Sequence, residues 1–156
     1  CVIATMGIKN MVIGCPLNSG NINFKHYMHA TASSMRWLHY NMFLLAHMVR
    51  PQLTIIDCLE GMEGNGPIRG TSIQHGVALA GTDVMAVDSI GAQLMSIPLE
   101  DLGYLNYCAD AGLGIIDREQ IDIIGDKKPQ DYVKKYQLAS NIEEQLKWKD
   151  SLQFQG

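Results

Sequence analysis

Residues 55–70 read IIDCLEGMEGNGPIRG, and the fold turns on how that stretch is read. An apolar run over 53–56 leads into a carboxylate, Asp57. Glu60 and Glu63 follow, then the turn-forming Gly64-Asn65-Gly66-Pro67, with Arg69 just beyond. A buried strand that ends in an acid and opens into a glycine-rich loop is how α/β proteins build ligand sites at the carboxyl ends of their strands. On this reading 53–57 is a strand, and the link from Asp57 to Ser72 is a long irregular loop of the kind kept for function.

Working outward, residues 72–79 alternate weakly and predict a second strand. Thr82-Asp83 opens a helix to about residue 95, with Val84, Val87, Ile90 and Leu94 along it. Residues 98–111 predict another helix, with Pro98 in its first turn and Gly112-Leu113-Gly114 as its stop. Residues 117–120 are a turn and 121–124 a strand. Upstream, 2–5 is β-like, 7–14 a short helix, 18–23 a polar loop, and 29–49 the strongest helix, started by Thr31, Ser33 or Ser34 and ended at Pro51. Residues 142–152 form a surface helix. Strands alternating with helices predict an α/β fold: a layered, mostly parallel sheet with helices on its faces, an incomplete part of a larger α/β domain. Residues 1–126 are assigned to this domain and 127–156 to a polar, partly helical C-terminal extension.

The composition narrows the function. At 156 residues and net charge −4, the chain is one domain's worth with an ordinary apolar content of 47%. Its basic residues form no stripe, which disfavours nucleic acid. Its longest apolar run, 42–49, contains His47 and is too short to span a bilayer, which disfavours a membrane. The chain opens mid-pattern on Cys1-Val2-Ile3 with no signal peptide and no initiator Met, which suggests a fragment or the C-terminal part of a longer protein, and its cysteine usage is that of a reducing bacterial or archaeal cytoplasm. Cys1, Cys15, Cys58 and Cys108 lie far apart, with no CxxC pair, so no zinc knuckle or iron–sulfur cluster is encoded locally, and free thiols are expected.

Four blocks in register carry a resemblance. They are Gly7-Ile8-Lys9-Asn10 with Gly14; Ile55-Ile56-Asp57 with Gly61-Met62-Glu63-Gly64-Asn65-Gly66-Pro67 and Gly70; Ala80-Gly81-Thr82-Asp83 with Ala86, Val87 and Asp88; and Ala111-Gly112-Leu113-Gly114. Together, from about residue 5 to 125, they resemble the bacterial and archaeal family known as the domain of unknown function numbered 362, and in particular its C-terminal portion. Members of that family often accompany ferredoxin-like iron–sulfur modules. The resemblance therefore implies redox company: a ferredoxin-like module or the missing N-terminal segment as partner, and an iron–sulfur cluster on that partner.

The residues themselves suggest a pocket. Asp57 and Glu60 are candidate ligands for a divalent metal, and Asp57 a candidate general base. Gly64, Asn65 and Gly66 would offer backbone N–H groups to an anion, with Arg69 as a clamp. Lys9 and Asn10 would neutralise and bind the same small anionic ligand. Asp83 is an N-cap or a ligand contact. Asp88, in an apolar helix, needs a partner, and Lys9, Arg69 or a substrate would serve. His26 is a candidate catalytic base or substrate contact, and with His29 and Asp57 a conceivable metal pair. The expected function is a redox-associated domain that binds a small anionic or metal-linked ligand in an acidic glycine-loop pocket beside an iron–sulfur partner. The alternatives are a redox-independent enzyme using Asp57 or His26 as general base, and a non-catalytic assembly domain.

Overall fold

In the computed structural model the described residues are 2–16, 20, 23–30, 34–125 and 128–150. The expected loop over 57–70 is instead the far half of a β-hairpin. Strand β1 (Thr54–Asn65) pairs antiparallel with β2 (Arg69–Gly81), from Thr54↔Gly81 at the base to Asn65↔Arg69 at the tip. Gly66, Pro67 and Ile68 make the turn, and the Gly66-Pro67 peptide is cis. Strands joined by so short a connection have to run antiparallel. The expected mostly parallel sheet is therefore corrected: among the described residues the sheet is two-stranded and antiparallel.

The Asp and Glu residues fooled the loop reading because the hairpin is irregular at mid-length. The register shifts between Cys58 and Glu60, so that Leu59 lies opposite His75 and Gly76. Gly76 has φ +85, which a side chain would disfavour. A bulge of this kind breaks the period-2 pattern that marks a strand in sequence.

Helix α1 is a single turn, Gly7–Lys9, that widens into a π-helix over Asn10–Gly14. Helices α2 (Phe24–Ala30) and α3 (Met35–Met48) stand where one helix over 29–49 was expected. The proposed caps Thr31 and Ser33, like Cys1, most of the 18–23 loop and the end of the 142–152 helix, lie outside the described residues. Ser34 precedes α3 but makes no side-chain capping bond. The buried face of α3 is Leu38, His39, Met42 and Ala46, an i, i+4, i+8 stripe.

Helix α4 (Val84–Leu94) lies under the hairpin's inner face. At Gly91 a Cβ would stand in ordinary contact with Ile56 and Leu79 of the hairpin but only 2.8 Å from Met6 Sδ, so the missing side chain makes room for Met6. Helix α5 (Gly103–Asp110) buries Tyr104, Leu105 and Cys108 against α3. It ends where sequence placed its stop: Gly112 has φ +69, and Leu113 N donates to Cys108 O at 2.9 Å. Residues 2–5 and 121–124, expected as strands, pair with no strand among the described residues. In the first of them Ile3 has φ +68 and Ala4 N donates to Val2 O at 2.8 Å, a tight turn rather than a strand.

The polar C-terminal stretch is stitched to the rest. Lys134 N donates to Leu94 O at 2.8 Å, Gly64 N donates to Gln137 O at 2.7 Å, and Asn65 Oδ1 accepts from Ser140 N at 2.9 Å. Short helix α6 (Ile142–Leu146) brings in Gln145, buried, whose Oε1 accepts from Ile3 N at 2.8 Å.

Candidate functional site

The proposed pocket residues fall into three separate groups. The first is the hairpin. Ile56 faces α4, so its neighbours Ile55 and Asp57 point to the opposite, solvent-facing side. Asp57 is exposed, and its Oδ1 accepts from Leu59 N at 2.9 Å across the bulge. Glu60 accepts from Ser72 Oγ, and Glu63 from Gln137 N at 2.8 Å. Gly64 and Asn65 hold the 137–140 segment as described above. Gly66 is in the turn, and Arg69 is exposed at the start of β2. The carboxylates thus serve local backbone and hydroxyl donors. Among the described residues no three His, Cys, Asp or Glu side chains converge to hold a metal ion. Asp57 and Glu60 are engaged instead by Leu59 N and Ser72 Oγ.

The second group is the cradle around α4. Asp83 caps the helix: Oδ1 accepts from Met85 N at 2.8 Å and Ala86 N at 3.3 Å, and Oδ2 accepts from Ile115 N at 2.8 Å. Gly114 packs so close to Asp83 that a Cβ there would overlap it, which explains why glycine follows Leu113. We expect Asp83→Ala to cost about 2 kcal/mol in denaturant unfolding, since it orphans a helix cap and ties to a second segment.

Asp88 is fully buried, and the expected partner is corrected. Neither Lys9 nor Arg69 reaches it. Its Oδ1 accepts from Gly7 N at 2.8 Å and its Oδ2 from Ile8 N at 3.0 Å, so it caps α1 from across the packing interface. A Cβ at Gly7 would approach Asp88 Oδ1 to 2.9 Å and Thr54 to 2.7 Å, so glycine is needed there. Burial pushes the Asp88 carboxyl up to about 6, against the pull of the two amides. Nearby Tyr104 OH and Thr54 Oγ1 are buried with no hydrogen-bond partner among the described residues.

The third group is cationic. Lys9 is half-buried, and its Nζ donates to Thr5 Oγ1 at 2.6 Å. No carboxylate lies within ion-pairing distance of it among the described residues. Burial, and then Lys25, hold its ammonium below the usual lysine range. His29 is pushed down by burial, then by Lys9, Lys25 and His26 among its neighbours. Lys25, His26 and His29 all lie on α2, whose start is capped by Asn23 Oδ1 accepting from His26 N at 3.0 Å. Asn10 is exposed at the first π-helical position. Lys25 was missed from sequence. Its i, i+4 relation to His29 on a helix was the available signal, hidden because the helix was expected to start at 29 rather than at Phe24.

The cysteines do not gather. Cys15 is exposed, Cys58 half-buried and Cys108 buried, all unpaired. Burial and then Asp57 push the Cys58 thiol up, and burial and then Asp88 push Cys108 up to about 12. Neither is an activated thiolate. No helix of the described residues is long and apolar enough to cross a membrane.

Comparison with known proteins places these groups in a wider family. No solved structure matches the chain. A thylakoid-associated protein of Synechocystis sp. is 30% identical over 93 residues, which make up 60% of this chain and 28% of that protein. The chain thus covers well under half of the relative's length. The family model for a domain of unknown function (DUF362) matches residues 2–93. That stretch is the N-terminal part of the chain and ends near the close of α4, leaving the Ala111–Gly114 block outside it. Lys9, the hairpin tip, Asp83 and Asp88 all fall within a match that takes in more than half of the sequence, and the chain belongs to the DUF362 family.

Proposed function

We propose that this DUF362 domain binds a small anionic ligand on the face built by Lys9, Asn10, Lys25, His26 and His29. The observation that carries the reading is Lys9: an ammonium drawn out of water, with a hydroxyl for a partner and the Lys25 ammonium near it. Gathering like charges in a partly desolvated site is unfavourable unless an anion neutralises them. The α-to-π junction at Lys9-Asn10 adds support, because π-turns are frequent at functional sites. The hairpin carboxylates accept from Leu59 N, Ser72 Oγ and Gln137 N and have no part in this reading. The redox association, with an iron–sulfur cluster held by a partner module, is carried over from the family resemblance. The ligand would then be a small anion handled beside that partner.

The test is calorimetric titration with inorganic phosphate and with pyrophosphate at low ionic strength, on the parent chain and Lys9→Met. We expect at least a tenfold weaker association for the variant, with folding stability unchanged or slightly raised, since a half-buried charge is removed. The His29 imidazole, followed by NMR, should move to higher pKa on anion binding. Equal affinity in both proteins, or a His29 titration indifferent to the anion, would remove the proposal.

A further inference from the structure

A groove of about 750 Å³ runs along β2, and Lys9 is not among its lining residues. Its lining takes in Gly76, Val77, Ala78, Leu79, Ala80 and Gly81 consecutively and no residue of β1, so it follows the free edge of β2. Among the described residues no backbone bond joins 76–81 to anything but β1. An open edge is a row of unused donors and acceptors, and proteins usually blunt it with Lys, Pro or a covering segment. Here the edge reads GVALAG, without a charge or a proline.

The floor is α4, through Val87, Ile90 and Leu94. A helix is about 10 Å across, whereas two strands lie about 4.8 Å apart, so α4 reaches beyond the sheet it supports. The far wall is the segment 120–125, which belongs to no sheet among the described residues and in which Ile124 is 99% exposed.

The geometry points to a strand-addition site: the 76–81 edge accepts one extended peptide, which lies on α4 between β2 and residues 120–125. Main-chain hydrogen bonds to the edge would supply affinity, and alternate apolar side chains would settle on Val87, Ile90 and Leu94. The charged side chains lining the groove are Asp83 and Asp122, both acidic. Asp83 is spent on capping, whereas Asp122 is exposed. The occupant is therefore an extended peptide of apolar alternation carrying a Lys or Arg near Asp122. A second copy of the chain fits less well. Two β2 edges brought together would also bring the exposed Asp122 of each copy to one seam, where like charges repel.

The probe is a synthetic Lys-Val-Thr-Val-Thr-Val peptide, blocked at both ends, alongside the same peptide N-methylated at alternate residues. We expect slowed amide hydrogen exchange over 76–81 with the first peptide and at least tenfold weaker binding of the second. Asp122→Lys, an exposed change that leaves the fold alone, should weaken the first peptide about tenfold. Equal binding of both peptides would make the groove an apolar pocket and overturn strand addition. So would unchanged exchange at 76–81 under millimolar peptide. Concentration-dependent dimerisation that protects the same amides would assign the edge to a second copy instead.

Discussion

Asp88→Ala should lower the unfolding free energy by about 3 kcal/mol, read as a fall in the urea midpoint with the slope unchanged. Two buried amides, Gly7 N and Ile8 N, lose their acceptor, and each orphaned donor costs about 1–3 kcal/mol. The variant also loses the desolvation penalty of a buried carboxyl, which is why the figure is not larger. Helix α1 is three residues long before it becomes a π-helix, too short to persist unaided. Its amides at 7 and 8 should exchange fastest in the variant. Asp88→Asn should fall between the two proteins, because its carboxamide keeps one acceptor and turns an N–H₂ toward the other amide. If Asp88→Ala proves as stable as the parent, the carboxylate is not the clasp between α1 and α4.

The second large effect is on acid stability and comes from His39. Its ring is fully buried between α3 and α5, where Nδ1 accepts from Tyr104 N at 3.0 Å. That bond places the remaining proton on Nε2, which has no partner among the described residues. Burial holds the imidazole down at about 3 from an ordinary 6.5. Between those values the unfolded chain binds a proton that the folded chain refuses. Stability therefore falls as pH drops from about 6.5 toward 3, by roughly 4 kcal/mol from this group.

Asp88 acts in the opposite direction. Its folded pKa of about 6 lies above the ordinary 3.8, so the folded state holds the extra proton between them. That contribution is complete below 3.8 and is lost as pH rises through 6. From pH 6 to 4 the two groups partly cancel, and the parent should lose stability only gently there. Asp88→Ala should then lose it steeply. His39→Gln, which keeps an acceptor for Tyr104 N and cannot protonate, should remove the downward slope. Unfolding free energies at half-unit pH steps decide the matter, and an unchanged slope in His39→Gln would locate the titration elsewhere.

Much of the helical layout was legible from sequence. Asp83, the apolar positions of α4, and the Gly112 stop of α5 are local signals, and local chemistry decided them. The hairpin was misread because one set of residues carries two meanings. Glycine, asparagine and proline at 64–67 serve a tight turn as well as an anion loop, and the bulge at Leu59 and Gly76 erased the alternation that would have separated the two readings. The helix expected over 29–49 rested on the apolar spacing of Met35, Leu38, Met42 and Leu45, which belongs to α3 and carries no signal for α2. Nothing local to Asp88 could name Gly7 and Ile8 as its partners, since the contact spans some eighty residues. Lys9, His26 and His29 were candidates from residue type and short-range spacing; Lys25 joined them only once α2 had been placed.

The C-terminal stretch also offers an optical handle. Trp148 donates through Nε1 to Asp101 O at 2.7 Å and sits 5.3 Å from the His39 ring and 6.0 Å from Tyr107, whereas Trp37 is 46% exposed. With Trp37 replaced by Phe, the remaining indole becomes a lone fluorophore at the seam between that stretch and the α3–α5 pair. Its emission colour then reports detachment of the tail separately from melting of the hairpin, and quenching in acid marks the moment His39 gains its charge.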